Sequence, residues 1–211
     1  MLVLFHSAVV ALNVYAIWYD QKYVDLPFPS EHFSAMPFKA RGIFLTIWCL
    51  VLQTIYFTIA LLNDLIGTNA TSPKKPPLIR KIKDTLFSLA FTSAIYVAVA
   101  FWGLYMIDKE FILPENITIN FPHWLNHTMH TLILPFILIE LFLSSRNYPS
   151  RKLGISIALL FELSYICCIH VIYFKTGLWV YPFLNVFSWP LKFLFIVLSS
   201  IVGLLVYVLG E

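Results

Sequence analysis

The chain has 211 residues, 60% apolar and only 12% charged, with a mean hydropathy of +0.81. An ordinary soluble domain carries about 25% charged residues, so this composition excludes one, and a net charge of +3 spread over the polar loops excludes a nucleic-acid partner. A membrane-spanning helix takes about 20 apolar residues, which leaves room for six crossings and no separate soluble domain: residues 1–211 read as one all-α, polytopic membrane protein with six transmembrane helices in one bundle.

In chain order, apolar runs broken by charge, Pro and Asn predict spans near 2–19, 43–62, 85–107, 124–143, 153–174 and 187–209. The opening "MLVLFHSAVVALNVYAIWY" lacks a basic n-region and a small-residue cleavage site, and reads as a retained first helix. The loop after the second span, "TSPKKPPLIRKIKD", holds five of the 14 Lys and Arg residues, and "SSRNYPSRK" after the fourth holds three. The other three loops together hold five. The positive-inside rule then puts both termini in the cytoplasm, in a multi-pass protein of the endoplasmic reticulum or plasma membrane. Asn116 of "NIT" falls on the opposite side, open to glycosylation, and Asn69 of "NAT" does not.

Trp18, Tyr19, Trp124, Trp179 and Tyr181 lie near span ends and read as an interfacial aromatic belt. "TGLWVYPFLNVF" is apolar but too short to cross, which predicts an interfacial or re-entrant hairpin. Cys49, Cys167 and Cys168 have neither zinc nor disulfide spacing and read as buried small hydrophobes. No internal repeat of the kind transporters use is evident.

Ionisable or polar residues inside a span are costly and become site candidates. His123, His127 and His130 in "HWLNHTMH" follow i, i+4, i+7 spacing, which keeps them within about 60° of arc on one face of an ideal helix. Asn126 borders that face. Thr46 and Gln53 share a face of the second span. The bland reading of a membrane threonine is a bond to its own i−4 carbonyl. Spans two, four and six nevertheless enter from the same side, so Thr46, His130 and Lys192 lie at similar depth. Lys192 either snorkels or faces an anionic substrate group. Glu140, about 15 Å beyond His130 along the helix, is too far to orient that imidazole and is expected in a polar cluster with Arg146, Arg151 or Lys152 at the other end.

Two chemistries suit the histidines. A metal site needs a complete ligand shell, and His6, His32 and His170 are scattered singly, so no metal is expected. Nucleophilic catalysis needs a hydroxyl within reach of an imidazole, and Thr46 with His130 supplies both. No GxSxG elbow occurs in the sequence, which excludes an α/β-hydrolase.

The blocks "FLTIWCLVLQ", "WLNHTMHTLILPFILIE", "YPSRKLG", "TGLWVYPFL" and "YVLGE", in this order from the second span to the last residue, resemble the androgen-induced-gene family of membrane proteins. The resemblance implies a threonine hydrolase acting on fatty acid esters of hydroxy fatty acids, without metal or organic cofactor. Its threonine, seven residues before a glutamine, falls on Thr46, and its histidine, last of the "NHxMHT" block, falls on His130. Gln53, Asn126, His127 and Lys192 are then the residues expected around the substrate. The expected partners are the lipid ester and membrane lipids; the sequence fixes no oligomeric state. The reading from another class is a lipid-binding or regulatory membrane scaffold without turnover.

Overall fold

The computed structural model describes residues 1–26, 37–115 and 121–210. Asn116 and His32 lie outside them. Among the described residues six helices are long and apolar enough to cross a membrane: α1 Leu2–Tyr23, α2 Leu45–Ile66, α3 Leu78–Ile107, α4 His123–Leu143, α5 Arg151–Thr176 and, last in the chain, α7 Trp189–Leu209. A short α6, Pro182–Val186, fills the α5–α7 connection. Every described element is helical or irregular, and the chain is a multi-pass membrane protein.

Helix α3 is the spine. It packs on α2, α4, α5 and α7, and its small residues Ala90, Ala94 and Ala98 are buried, which lets neighbouring backbones come close in a bilayer that offers no hydrophobic drive between helices. It starts about two turns before the predicted position 85. Hydropathy rejects Arg80, Lys83 and Asp84, yet all three are buried because they are paired: Arg80 Nε donates to both Asp84 carboxylate oxygens at 2.8 Å, and its Nη atoms donate to the carbonyls of Thr68 and Ser145. Helix α1 packs on α2 and buries one stripe, His6, Val9, Asn13, Ala16 and Asp20.

Both termini lie at one end of the bundle, with a closed polar cluster. His6 is fully buried and bridges two carboxylates, Asp64 Oδ2 at 2.7 Å and Glu140 Oε2 at 2.8 Å. Tyr56 donates to Glu140 Oε1 at 2.7 Å, and Lys83 Nζ lies 3.8 Å from the same oxygen. Glu140 therefore does sit in a polar cluster, but its side-chain partners are His6, Tyr56 and Lys83. Arg146 instead donates to the Glu140 backbone carbonyl and lays its guanidinium on the Phe87 ring.

Two further expectations are corrected. Of the cysteines only Cys49 is buried; Cys167 faces outward and Cys168 is half-buried. Tyr15, Trp18, Tyr19, Tyr23 and Trp124 cluster at the end opposite the termini, whereas Trp179 and Tyr181 leave the belt. The chain turns inward after α5 at Gly177, whose φ of 72° suits a residue without Cβ. Trp179, Val180, Phe183 and Leu184 are buried against Tyr165, Ile169 and Ile172 of α5. The "TGLWVYPFL" segment is thus packed in protein, as irregular backbone at membrane depth must be.

Candidate active site

The site lies at the bundle end opposite the termini, where α2 begins. Thr46 is the second residue of that helix, and its local environment removes the bland option. Thr54, Thr58, Thr128 and Thr176 each donate to the carbonyl four residues back. For Thr46 that carbonyl belongs to Gly42, and the indole N–H of Trp48 already donates to it at 2.7 Å. The Thr46 hydroxyl turns instead to α4, where Oγ1 lies 3.0 Å from His130 Nε2.

The tautomer follows from the other ring nitrogen. His130 Nδ1 is 3.0 Å from the Asn126 backbone carbonyl and 2.9 Å from Asn126 Oδ1. Two acceptors there require the proton on Nδ1, so Nε2 offers a lone pair and the threonine hydroxyl donates to it. Phe101 of α3 stacks on the imidazole, with centroids 3.6 Å apart and planes 14° from parallel. Tautomer and orientation are both fixed, and His130 is only 6% exposed.

A π turn, Thr128–Leu132, sits inside α4 at this point, and such bulges re-aim side chains at functional sites. It breaks the single-face reading of the three histidines. His123 and His127 are exposed while His130 is buried; His127 pairs with Thr131 Oγ1 at 3.0 Å and stacks on Trp102. The three imidazoles do not converge.

Tyrosines fix the start of α2. The Leu45 amide donates to the hydroxyls of both Tyr165 and Tyr181, at 3.0 and 3.1 Å. Tyr165 in turn donates to the Ile43 carbonyl at 3.0 Å, and the two hydroxyls are 2.9 Å apart. Tyr165 carries no signal in the sequence and Tyr181 reads there only as a belt residue, because their role depends on contacts across 120 and 136 positions.

Thr46 lines two cavities. The larger, about 180 Å³, is walled mainly by apolar side chains of α3, α5 and α7, with Lys192 and Glu162 among the few polar ones. Lys192 Nζ donates to the Phe187 carbonyl and lies 5.3 and 5.2 Å from the Trp179 and Trp189 ring centroids. The smaller cavity, about 80 Å³, holds Thr46, His130, Asp20 and Arg41 in its wall. Gln53 lines neither. It is buried two turns deeper, and its amide nitrogen donates to the Ala90 carbonyl at 2.8 Å. The structure thus brings Thr46, His130 and Asn126 together, sets Lys192 on the larger cavity that Thr46 also lines, and leaves Gln53 and His127 apart. Asp20 and Arg41 join the site without any signal in the sequence, where Arg41 reads as one more loop charge.

The comparisons agree with the motif blocks. A family model for FAR-17a/AIG1-like proteins matches residues 1–211. The human androgen-induced gene 1 protein is 32% identical over 209 residues, covering 96% of this chain and 85% of the relative. The rat androgen-dependent TFPI-regulating protein is 38% identical over 173 residues, covering 81% and 74%, and its human counterpart is 35% identical, covering 82% and 75%. No solved structure matches. With its whole length matched by the family model, this chain belongs to the FAR-17a/AIG1-like family of membrane proteins.

Proposed function

We propose that the protein is an integral-membrane ester hydrolase that cleaves fatty acid esters of hydroxy fatty acids, with Thr46 as nucleophile and His130 as general base. The observation that carries this reading is the 3.0 Å contact from Thr46 Oγ1 to an imidazole nitrogen left unprotonated by its Asn126 partners. A hydroxyl so placed loses its proton to Nε2 as it attacks an acyl carbon. The protonated imidazole then gives that proton to the leaving alkoxide, releasing the hydroxy fatty acid. Water, activated by the same nitrogen, cleaves the acyl-threonine ester and frees the fatty acid. Asn126 takes the third position of the triad, as a neutral group that holds the tautomer. The larger apolar cavity suits acyl chains, and Lys192 supplies a cation in its wall for the substrate carboxylate.

The active end faces the lumen or exterior, and both termini face the cytoplasm, by loop charge. Attachment of glycan to Asn69 and not to Asn116 would reverse that orientation.

The test is fluorophosphonate labelling of membranes that express the full chain, alongside mass-spectrometric assay of ester cleavage. Wild type is labelled and hydrolyses the ester; Thr46→Ala and His130→Ala express normally and do neither. Undiminished labelling of Thr46→Ala sinks the nucleophile assignment. Absent turnover in wild type, with intact lipid binding, returns the protein to the scaffold class.

A further inference from the structure

An acyl-transfer site needs a hole for the oxyanion as well as a nucleophile and a base. The hydrogen bonds around Thr46 leave two donors unused. Among the first four amides of α2, Leu45 N–H is taken by the two tyrosines, and those of Ile47 and Trp48 reach back to the Phe44 carbonyl at 3.0 and 3.4 Å. No described residue accepts from the Thr46 amide. It is the N–H of the nucleophile itself, at the positive end of a 22-residue helix dipole.

The second donor comes from Arg41, only 2% exposed. Its Nε donates to Asp20 Oδ2 at 2.8 Å and its Nη2 to the Val24 carbonyl at 2.9 Å, whereas Nη1 has no hydrogen-bond partner among the described residues. A buried guanidinium nitrogen without an acceptor is expensive unless an acceptor arrives. Arg41 shares the wall of the 80 Å³ cavity with Thr46 and His130. An ester group bound there has all three residues in its surrounding wall.

We propose that Arg41 Nη1 and the Thr46 amide form the oxyanion hole of this site, an inference that rests on the hydrolase reading above. As Thr46 Oγ1 bonds to the acyl carbon, its proton passes to His130 Nε2 and the carbonyl π pair moves onto oxygen. That oxygen accepts from Nη1 and from the Thr46 N–H. When the tetrahedral centre collapses, the pair returns and the alkoxide leaves with the proton from His130. Asp20 has a part in this. In the resting site its carboxylate cancels the Arg41 charge, so the cavity holds no standing excess charge to trap the carboxylate product. The hydrogen bonds strengthen only when negative charge develops on the ester oxygen, which is the differential binding that raises kcat.

The test uses the purified full chain in lipid nanodiscs. Arg41→Lys keeps a cation for Asp20 and removes the Nη1 donor. The expected result is a kcat about 100- to 1,000-fold lower with KM within a few-fold. A trifluoromethyl ketone analogue of the substrate, which forms a tetrahedral adduct on Thr46, loses affinity by a similar factor, while a non-cleavable ether analogue binds as before. Wild-type kcat in Arg41→Lys overturns the proposal, and so does an equal loss for the ketone and the ether, which marks Arg41 as structural. If Arg41→Lys does not fold, Asp20→Asn/Arg41→Gln replaces the ion pair with a neutral one and is read in the same way. Failure of the hydrolase reading is separate: wild type then shows no Thr46-dependent turnover before Arg41 is touched.

Discussion

The two ends of the bundle use polar side chains in opposite ways. At the end that holds the termini, His6, Asp64, Glu140, Tyr56, Lys83, Arg80 and Asp84 meet one another's donors and acceptors, and neither described cavity opens among them. At the other end a hydroxyl, an imidazole and an arginine border empty space, with donors left over. Saturated groups hold helices in register; unsaturated ones beside a cavity wait for a ligand. Burial alone does not separate the two kinds, since Glu140 is more buried than His130. What separates them is an unspent donor beside a cavity: Arg146 Nη1 at the closed end also lacks a hydrogen-bond partner among the described residues, but it lines neither described cavity.

Five substitutions break or sharpen that contrast. The largest effect is expected from Thr46→Ala and His130→Ala, each lowering ester turnover by about 1,000-fold or more without changing thermal unfolding, measured on purified protein by product release and a melting scan. Glu140→Ala should do the reverse. It strips an acceptor from His6, Tyr56 and Lys83 at once, which costs about 3 to 5 kcal/mol for a broken buried pair, read as a lower melting temperature and poorer yield. Turnover per folded molecule stays within a few-fold of wild type; a collapse of kcat at unchanged stability would erase the division between the two ends.

Smaller effects probe the geometry of the imidazole. Asn126→Ala removes Oδ1 but keeps the backbone carbonyl, so one of the two acceptors on Nδ1 survives. A loss of about 1 kcal/mol, or about five-fold in kcat, is expected in steady-state assays. Phe101→Leu removes the stacked ring and its contribution of about 0.5 to 1.5 kcal/mol. That predicts a few-fold lower kcat and broader histidine ring resonances in NMR spectra of labelled protein.

Much of this architecture is legible in the sequence. Six apolar runs of the right length give six helices, since chain length and hydropathy leave few alternatives. Thr46 and His130 emerge from shared depth together with the motif blocks. The rest depends on contacts that periodicity does not encode. Hydropathy clips the start of α3 because it cannot know that Arg80 and Asp84 neutralise each other. The even spacing of the histidines misleads because a π turn intervenes after His127. His6 looks isolated in the sequence although it joins two carboxylates 58 and 134 positions away, and Tyr181 looks like a belt residue although it caps the helix that carries Thr46.

The buried stripe of α1 has a further consequence. His6 is seated among carboxylates at one end of the molecule and Asp20 on Arg41 at the other, fourteen residues and about 21 Å of helix apart. The helix acts as a gauge block of fixed length and phase. Its lipid-facing letters are free to drift, but one residue inserted between those two anchors turns everything beyond it by about 100° and advances it by about 1.5 Å. Only one anchor then finds its socket, so the count from six to twenty ties the cavity at one end to the lock at the other.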